Sequence, residues 1–242
     1  MKLHLDIETY CEADLKTVGV RKYVEDPSFE ILLVGYAFGD GPVKQADLAL
    51  GDPMPEEVIA ALAAGSGEIR VAHNATFERL GMSVWLAKHG RSDVLGGRRF
   101  LDPMGWRCTM VRAYQLGLPG SLEKAGVWLG IPADKQKLAT GKKLIEKFCK
   151  PQKDGRRIFP QAALPGTKGD WETFKDYNVG DVVAERAIDE AEGLYPECPD
   201  REWLVYRADQ DINDRGVGVD VAMAKTVNAY VADHSQKLMG EA

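Results

Sequence analysis

The run Ile31 to Phe38 (ILLVGYAF) limits the possible fold more than any other stretch of the chain. It is continuously apolar, bounded by Glu30 on one side and a Gly39-Asp40-Gly41-Pro42 turn on the other, and its length suits a strand. A strand with no polar face has no side to offer water, so other elements must cover both of its faces. Val43 to Leu48 follows the turn and is expected to pair back onto the run.

A second strand, Leu3 to Thr9 (LHLDIET), is of a different kind. Leu3, Leu5 and Ile7 alternate with Lys2, His4, Asp6 and Glu8 at period two. The polar face therefore ends in two carboxylates at i and i+2. At a sheet edge both would be solvated and mean little. In a central strand they would repel, and one would take up a proton unless a cation lay between them. A pair of carboxylates at a strand end is an oxygen-only site suited to Mg²⁺ or Mn²⁺.

Between and beyond these strands the pattern changes. Leu15 to Tyr23 reads as polar and irregular. Pro55 opens a short helix over EEVIAALAA, closed by Gly65-Ser66-Gly67. Glu68 to His73 is another strand, and Asn74 is placed to N-cap a helix running to Lys88, with Phe77, Leu80, Val84 and Trp85 on one side. Gly90 to Arg107 reads as loop. Short helices are expected over Thr109–Leu116, Ser121–Leu129 and Gly141–Phe148. Pro151 to Gly169 reads as a long loop. Asp170 is the expected cap of the longest helix, Trp171 to about Leu194, which Pro196 and Pro199 terminate. Two further helices, Arg201–Asp214 and Val221–Lys237, complete the chain. Strands come early and helices accumulate later, which argues for a mixed α/β sheet with flanking helices.

The longest helix carries one informative departure. Phe174, Tyr177, Asp181, Ala184, Ile188, Ala191 and Tyr195 follow three/four spacing, and Asp181 is the charged member of that stripe. A buried carboxylate is costly without a partner, which could be an arginine or a metal ion. Tyr177 lies one turn earlier on the same face, so its hydroxyl and the carboxylate point to one place. Glu78 stands one turn into the helix after Glu68–His73, where a plain helix-end charge is an equal alternative. Asp6 with Glu8, Glu78 and Asp181 are four acidic donors from three segments. Their convergence would make a two-metal site, with ions roughly 3.5–4 Å apart, and phosphodiester cleavage is the chemistry that fits.

These segments resemble a known family. LDIET (Leu5–Thr9), NATFE (Asn74–Glu78) and YNVGD (Tyr177–Asp181) are similar to the three exonuclease motifs of the DEDD superfamily. Tyrosine four residues before the last aspartate matches the tyrosine subclass. The similarity extends to the proofreading domains of phage-type family A DNA polymerases through YVEDPSFEILLVGYAF (Tyr23–Phe38), CTMVRAYQLGLPGSLEKAG (Cys108–Gly126) and the lysine-rich stretch ending at KFCKP (Lys147–Pro151). It covers essentially the whole chain. The resemblance implies a ribonuclease-H-like fold and 3′→5′ degradation of single-stranded DNA ends with two Mg²⁺ or Mn²⁺ ions. It implies that Asp6, Glu8 and Asp181 bind the first metal, that Asp6 bridges to the second, and that Tyr177 aims the attacking water. The family's second motif commonly ends in Asp, and this chain has Glu78. Asn74 and Phe77 would touch the strand. Two other readings stand beside this one: an attenuated DNA-end-binding module, and an RNA-trimming enzyme of the same fold.

Charge and composition set the surroundings. Asp134 to Arg157 holds nine Lys/Arg against three acids in a chain of net charge −6, so the rest is strongly acidic. Such a run is either a solvated face or a basic arm that holds a single strand, with Lys142, Lys143 and Lys147 as the expected contacts. Phe148, Phe159 and Trp171 could stack bases or lie in the core. His73 is expected to be a packed strand-end residue. Four scattered cysteines lack metal spacing and suit a reducing compartment. The charged start and the absence of a long apolar run predict a protein of the cytoplasm, host cytoplasm if phage-encoded, without membrane contact. Residues 1–198 are expected to form the exonuclease domain. Residues 199–242, with DINDRGVGVD, form a helical extension resembling a linker into a polymerase thumb and palm, which makes a DNA polymerase module the expected partner.

Overall fold

In the computed structural model, residues 1–132, 141–161 and 166–240 are described. Five strands form one sheet: β1 (Lys2–Tyr10), β2 (Glu30–Phe38), β3 (Lys44–Asp47), β4 (Ile69–Ala72) and β5 (Trp106–Cys108). Their order is β3-β2-β1-β4-β5. β1 pairs antiparallel with β2, placing Asp6 opposite Gly35, and β2 pairs antiparallel with β3 across the glycine turn. β4 runs parallel to β1, and β5 parallel to β4. This mixed sheet with helices on both faces is the ribonuclease-H-like arrangement.

The helices are α1 (Leu15–Glu25), α2 (Glu56–Leu62), α3 (Thr76–Lys88), α4 (Thr109–Gln115), α5 (Leu122–Trp128), α6 (Gly141–Phe148), α7 (Thr167–Glu192), α8 (Asp200–Arg215) and α9 (Val221–Gly240). Leu3, Leu5 and Ile7 of β1 join Val34, Tyr36, Leu80 and Leu86 in the larger core, on the α3 face. The other face packs Tyr10 and Leu33 against Phe148, Trp171, Phe174 and Tyr177 of α6 and α7. β1 is thus covered on both sides, and its charged residues point into the α7 layer instead of into water. Gly81 is what lets α3 lie so close, since a β-carbon there would come 2.8 Å from Ile7 Cδ1.

Several local expectations are corrected. Leu15 to Tyr23 is helical, capped by Asp14 and interrupted at Gly19; only Tyr23 and Val24 of α1 are buried, so little periodicity marks it. The stretch read as loop up to Arg107 contains the start of β5, a three-residue strand too short to show alternation. Asn74 does not cap α3. It takes a left-handed backbone (φ 68°), which Asn tolerates better than most residues, and Ala75 precedes the helix without a side-chain cap. α7 begins at Thr167, so Asp170 lies in its first turn, where it accepts a hydrogen bond from Lys147 Nζ at 2.6 Å. α7 ends at Glu192, and Tyr195 falls outside the buried stripe.

The prolines at 196 and 199 do break the helix, but the chain returns to the sheet domain beyond them. Arg79 of α3, 1% exposed, donates from both terminal nitrogens to Asp214 of α8 (2.7 and 2.9 Å), which also accepts from Arg21 of α1 at 2.8 Å. Gln210 accepts from Thr76 at 2.9 Å. No residue of α9 is buried. No helix among the described residues is long and apolar enough to cross a membrane. All four cysteines are buried and free.

Candidate metal centre

β1 directs His4, Asp6 and Glu8 at α7, and α7 returns Tyr177, Asn178, Asp181 and Glu185 at one-turn spacing. Carboxylate oxygens of Asp6, Glu8 and Asp181 all lie within 4.8 Å of one another, with Glu8 and Asp181 buried. At an effective dielectric of about 20 each such pair repels by roughly 3 kcal/mol. Ionised together the three would repel, and a divalent cation would relieve that repulsion. Its donor set, carboxylate oxygen alone, fits Mg²⁺ or Mn²⁺.

Glu78 lies beside this trio and outside the group that shares the 4.8 Å spacing. It is 4% exposed, and its Oε2 has no hydrogen-bond partner among the described residues. Burial first, then the charge of Asp6, holds its carboxyl well above the usual range. A buried carboxyl raised in this way beside an acidic cluster is a group whose ionised form a second cation would favour.

The surrounding side chains orient the ligands. Asn178, fully buried, donates from Nδ2 to Asp6 Oδ2 at 2.7 Å. The Cys149 thiol, kept protonated by burial and by Glu8, points at Glu8 Oε2 at 3.9 Å. Tyr177 is hydrogen-bonded to Asp181; burial and that carboxylate push its phenol far above its ordinary value, so it stays protonated. Its ring stacks on Phe174 (centroids 6.1 Å apart, planes 11° apart), which stacks on Phe148. A turn beyond Asp181, Glu185 Oε2 lies 2.8 Å from His4 Nδ1, both residues buried.

Asp6, Glu8, Tyr177 and Asp181 are thus brought together, and Glu78 is brought alongside. Asn74 is exposed at the β4–α3 turn, and Phe77 is half-buried, 6.0 Å from the Tyr23 ring. Lys142 and Lys143 are exposed on α6, whereas Lys147 is tied to Asp170. Of the basic run, Lys135 and Lys137 lie outside the described residues. Phe148 and Trp171 are core residues; Phe159 is 51% exposed beneath the Arg157 guanidinium. His73 bonds Thr109 Oγ1 and the Gly120 carbonyl, as a packed strand-end residue would. Sequence reading missed Asn178, Glu185 and His4. Two of these carried a signal: His4 shares the strand face of Asp6, and Glu185 is four residues after Asp181.

No family model matches the chain. It is 42% identical, over 244 residues, to a DNA polymerase of Bacillus phage SP02, a match spanning 99% of this chain and 35% of that protein. The chain therefore spans about a third of that relative's length. A solved structure described as the apo form of the nuclease aligns over 80% of this chain and 72% of its own, at 14% identity and a TM-score of 0.38.

Proposed function

We propose that this chain is a metal-dependent 3′→5′ exonuclease of the DEDD tyrosine subclass that hydrolyses phosphodiester bonds at single-stranded DNA 3′ ends. It would serve as a proofreading unit beside a polymerase module in the host cytoplasm. The observation that carries this reading is the convergence of Asp6, Glu8 and Asp181 within 4.8 Å, with the Tyr177 hydroxyl on Asp181. The phage DNA polymerase relative supports DNA as the substrate.

Asp6, Glu8 and Asp181 would hold the first of two ions and Asp6 would reach the second, with Glu78 the remaining oxygen donor. Bound divalent ions supply Lewis acidity and a water that ionises near neutral pH. The protein's own part is placement. Tyr177, protonated throughout, cannot act as a base; it donates its one hydrogen to Asp181, and its oxygen would accept from the water and fix the line along which that water meets phosphorus. The water oxygen bonds to phosphorus, the bond to the neighbouring nucleotide's 3′ oxygen breaks, and that oxygen leaves as a hydroxyl after taking a proton. Lys142 and Lys143 on α6 would hold a strand's phosphates by charge alone.

Glu78 favours one second reading, an end-binding module with weak turnover, because it lies outside the tight trio. Both are tested with a 5′-labelled single strand incubated with Mg²⁺ or Mn²⁺, beside the same strand with its 3′ end blocked and a matched RNA. Stepwise shortening of the open DNA strand, lost in Asp6→Ala and Asp181→Ala, is expected. Tight binding without shortening would favour the module, and preferential shortening of RNA would move the substrate class.

A further inference from the structure

Asp6 of the carboxylate cluster has an amide held against it. Asn178 Nδ2 donates to Asp6 Oδ2 at 2.7 Å and lies 3.3 Å from the Asp6 carbonyl oxygen. Its Oδ1 accepts from Gln45 Nε2 at 2.8 Å, and the same Gln45 nitrogen donates to the Lys175 carbonyl at 2.9 Å. A backbone carbonyl only accepts, so it settles which end of Gln45 is nitrogen. That in turn settles which end of Asn178 faces Asp6. The order donor-to-acceptor therefore runs one way, from β3 through α7 to β1, and ends with an N–H on Asp6.

Space is reserved for this relay. Gly35 lies between Gln45 and Asp6 in the sheet register, and a β-carbon there would come 2.8 Å from Asn178 Oδ1 and 2.9 Å from Val182 Cγ2. Asn178 is itself fully buried, so its amide has no water to turn toward.

We infer that Asn178, oriented by Gln45, is a positioning residue that sets the divalent-ion affinity of the carboxylate cluster through Asp6; this rests on the metal-dependent nuclease reading. A lysine in its place would also donate, but its charge would compete with the ion. A neutral amide holds one oxygen of Asp6 in place and adds no charge that would compete with the ion. Partners of this kind typically change metal affinity by about 10- to 100-fold when removed.

The test is Mn²⁺ binding by calorimetry on the intact protein, with metal-free melting temperatures recorded alongside. Asn178→Leu keeps the volume and removes the donor, and should weaken Mn²⁺ binding by at least about tenfold. Should that buried variant not fold, Gln45→Glu carries the test. Glutamate cannot donate to Asn178, so the amide turns and presents its oxygen to Asp6. The added negative charge alone would strengthen cation binding, so a loss of similar size from a residue two strands away supports the relay. Parent-like or tighter binding in Gln45→Glu, while Asp6→Ala abolishes binding, would overturn it. Parent-like binding in Asp6→Ala would instead overturn the metal-site reading itself.

Discussion

Gly141 lies flat against the ring of Tyr177: a β-carbon at that position would fall on Cε2, Cζ and Cδ2 of the phenol. Phe174 stacks on the same ring at 6.1 Å, so the phenol is fixed by an aromatic neighbour and a bare stretch of α6 backbone. Alanine in place of glycine inside a helix ordinarily adds about 1 kcal/mol of stability. Here it must displace either α6 or the ring. Gly141→Ala is expected to lower single-turnover cleavage by roughly 10²-fold, the cost of a misplacement of about 1 Å, while Mn²⁺ binding stays within about twofold. A parent-like rate would remove Tyr177's placement from the mechanism. Tyr177→Phe, which keeps the stack and loses the hydroxyl, should fall by a comparable factor with little change in melting temperature.

Burial first, then the charge of Asp6, raises the Glu78 carboxyl well above its ordinary range in the absence of metal. Glu78→Gln should therefore leave the metal-free protein about as stable at neutral pH, yet raise the Mg²⁺ concentration needed for cleavage. Glu78→Asp withdraws the carboxyl by one carbon–carbon bond, roughly 1.5 Å, and should slow cleavage; Glu78→Ala should slow it further. Rates measured across Mg²⁺ and Mn²⁺ titrations decide this. An unchanged rate for Glu78→Ala at limiting metal would take the residue out of the site, and a faster Glu78→Asp would mark the natural chain as attenuated.

The lysines of α6 are not equivalent. Lys142 and Lys143 are exposed, whereas Lys147 is bonded to Asp170 at 2.6 Å and lies over the Phe148 ring. Taking away one cation that neutralises a phosphate of a bound single strand should flatten the dependence of log affinity on log salt by about 0.7. The double change Lys142→Ala/Lys143→Ala is expected to flatten the slope by up to about 1.4, and Lys147→Ala by less. Fluorescence anisotropy of a labelled strand between low and moderate salt measures it; identical slopes in parent and double variant would make α6 a solvated face only.

Glu192, at the far end of α7, gives a pH prediction independent of the metal centre. Burial first, then Asp189, pushes its carboxyl up to about 9. An unfolded chain releases that proton near about pH 4.3. Between the two values the folded state holds a proton that the unfolded state lacks, so this group's contribution to stability falls as pH rises, by at most about 1.4 kcal/mol per pH unit. Below about pH 4 it costs nothing, and above about pH 9 the loss is complete. Glu192→Gln carries no such proton, so its stability relative to the parent should climb from about pH 5 to about pH 9. Urea midpoints across that range test this, and parallel curves would refute it.

How much was legible in the sequence follows from how each residue signals its surroundings. Ile31–Phe38 and the alternation from Lys2 to Glu8 place two central strands, because burial on both faces and burial on one face leave different patterns. Tyr177 and Asp181 are visible because they break an otherwise apolar helical row. Asn178 is not, because α7 crosses the central strand and buries an arc wider than one row; it looks like a solvent-facing polar residue until the strand is placed, and Glu185 signals itself only by its spacing from Asp181. Asn74 follows the rule for caps but adopts φ 68°, a backbone choice made by the turn from β4. β5 and α1 escape notice because three residues, and a helix with two buried side chains, carry no measurable period.

The Arg79–Asp214 clasp bears on where this unit could be cut and moved between proteins. Pro196 and Pro199 look like a natural seam. A cassette ending there would leave a guanidinium, 1% exposed in the intact chain, stripped of its carboxylate one residue away from Glu78. Removing the partner of a charge that stays buried costs about 3–5 kcal/mol, out of a typical total of about 5–15 kcal/mol; with α8 gone Arg79 also gains water, so that figure is an upper bound. Asp214 feels the same bond from its side: burial would raise its carboxyl, but the guanidinium groups of Arg79 and Arg21 outweigh that and hold it below its ordinary value. A cassette cut after Arg215 keeps the Arg79–Asp214 pair, whereas a fusion joined at the prolines would keep Tyr177 and Asp181 on α7 but leave α3, which carries Glu78, without its clasp.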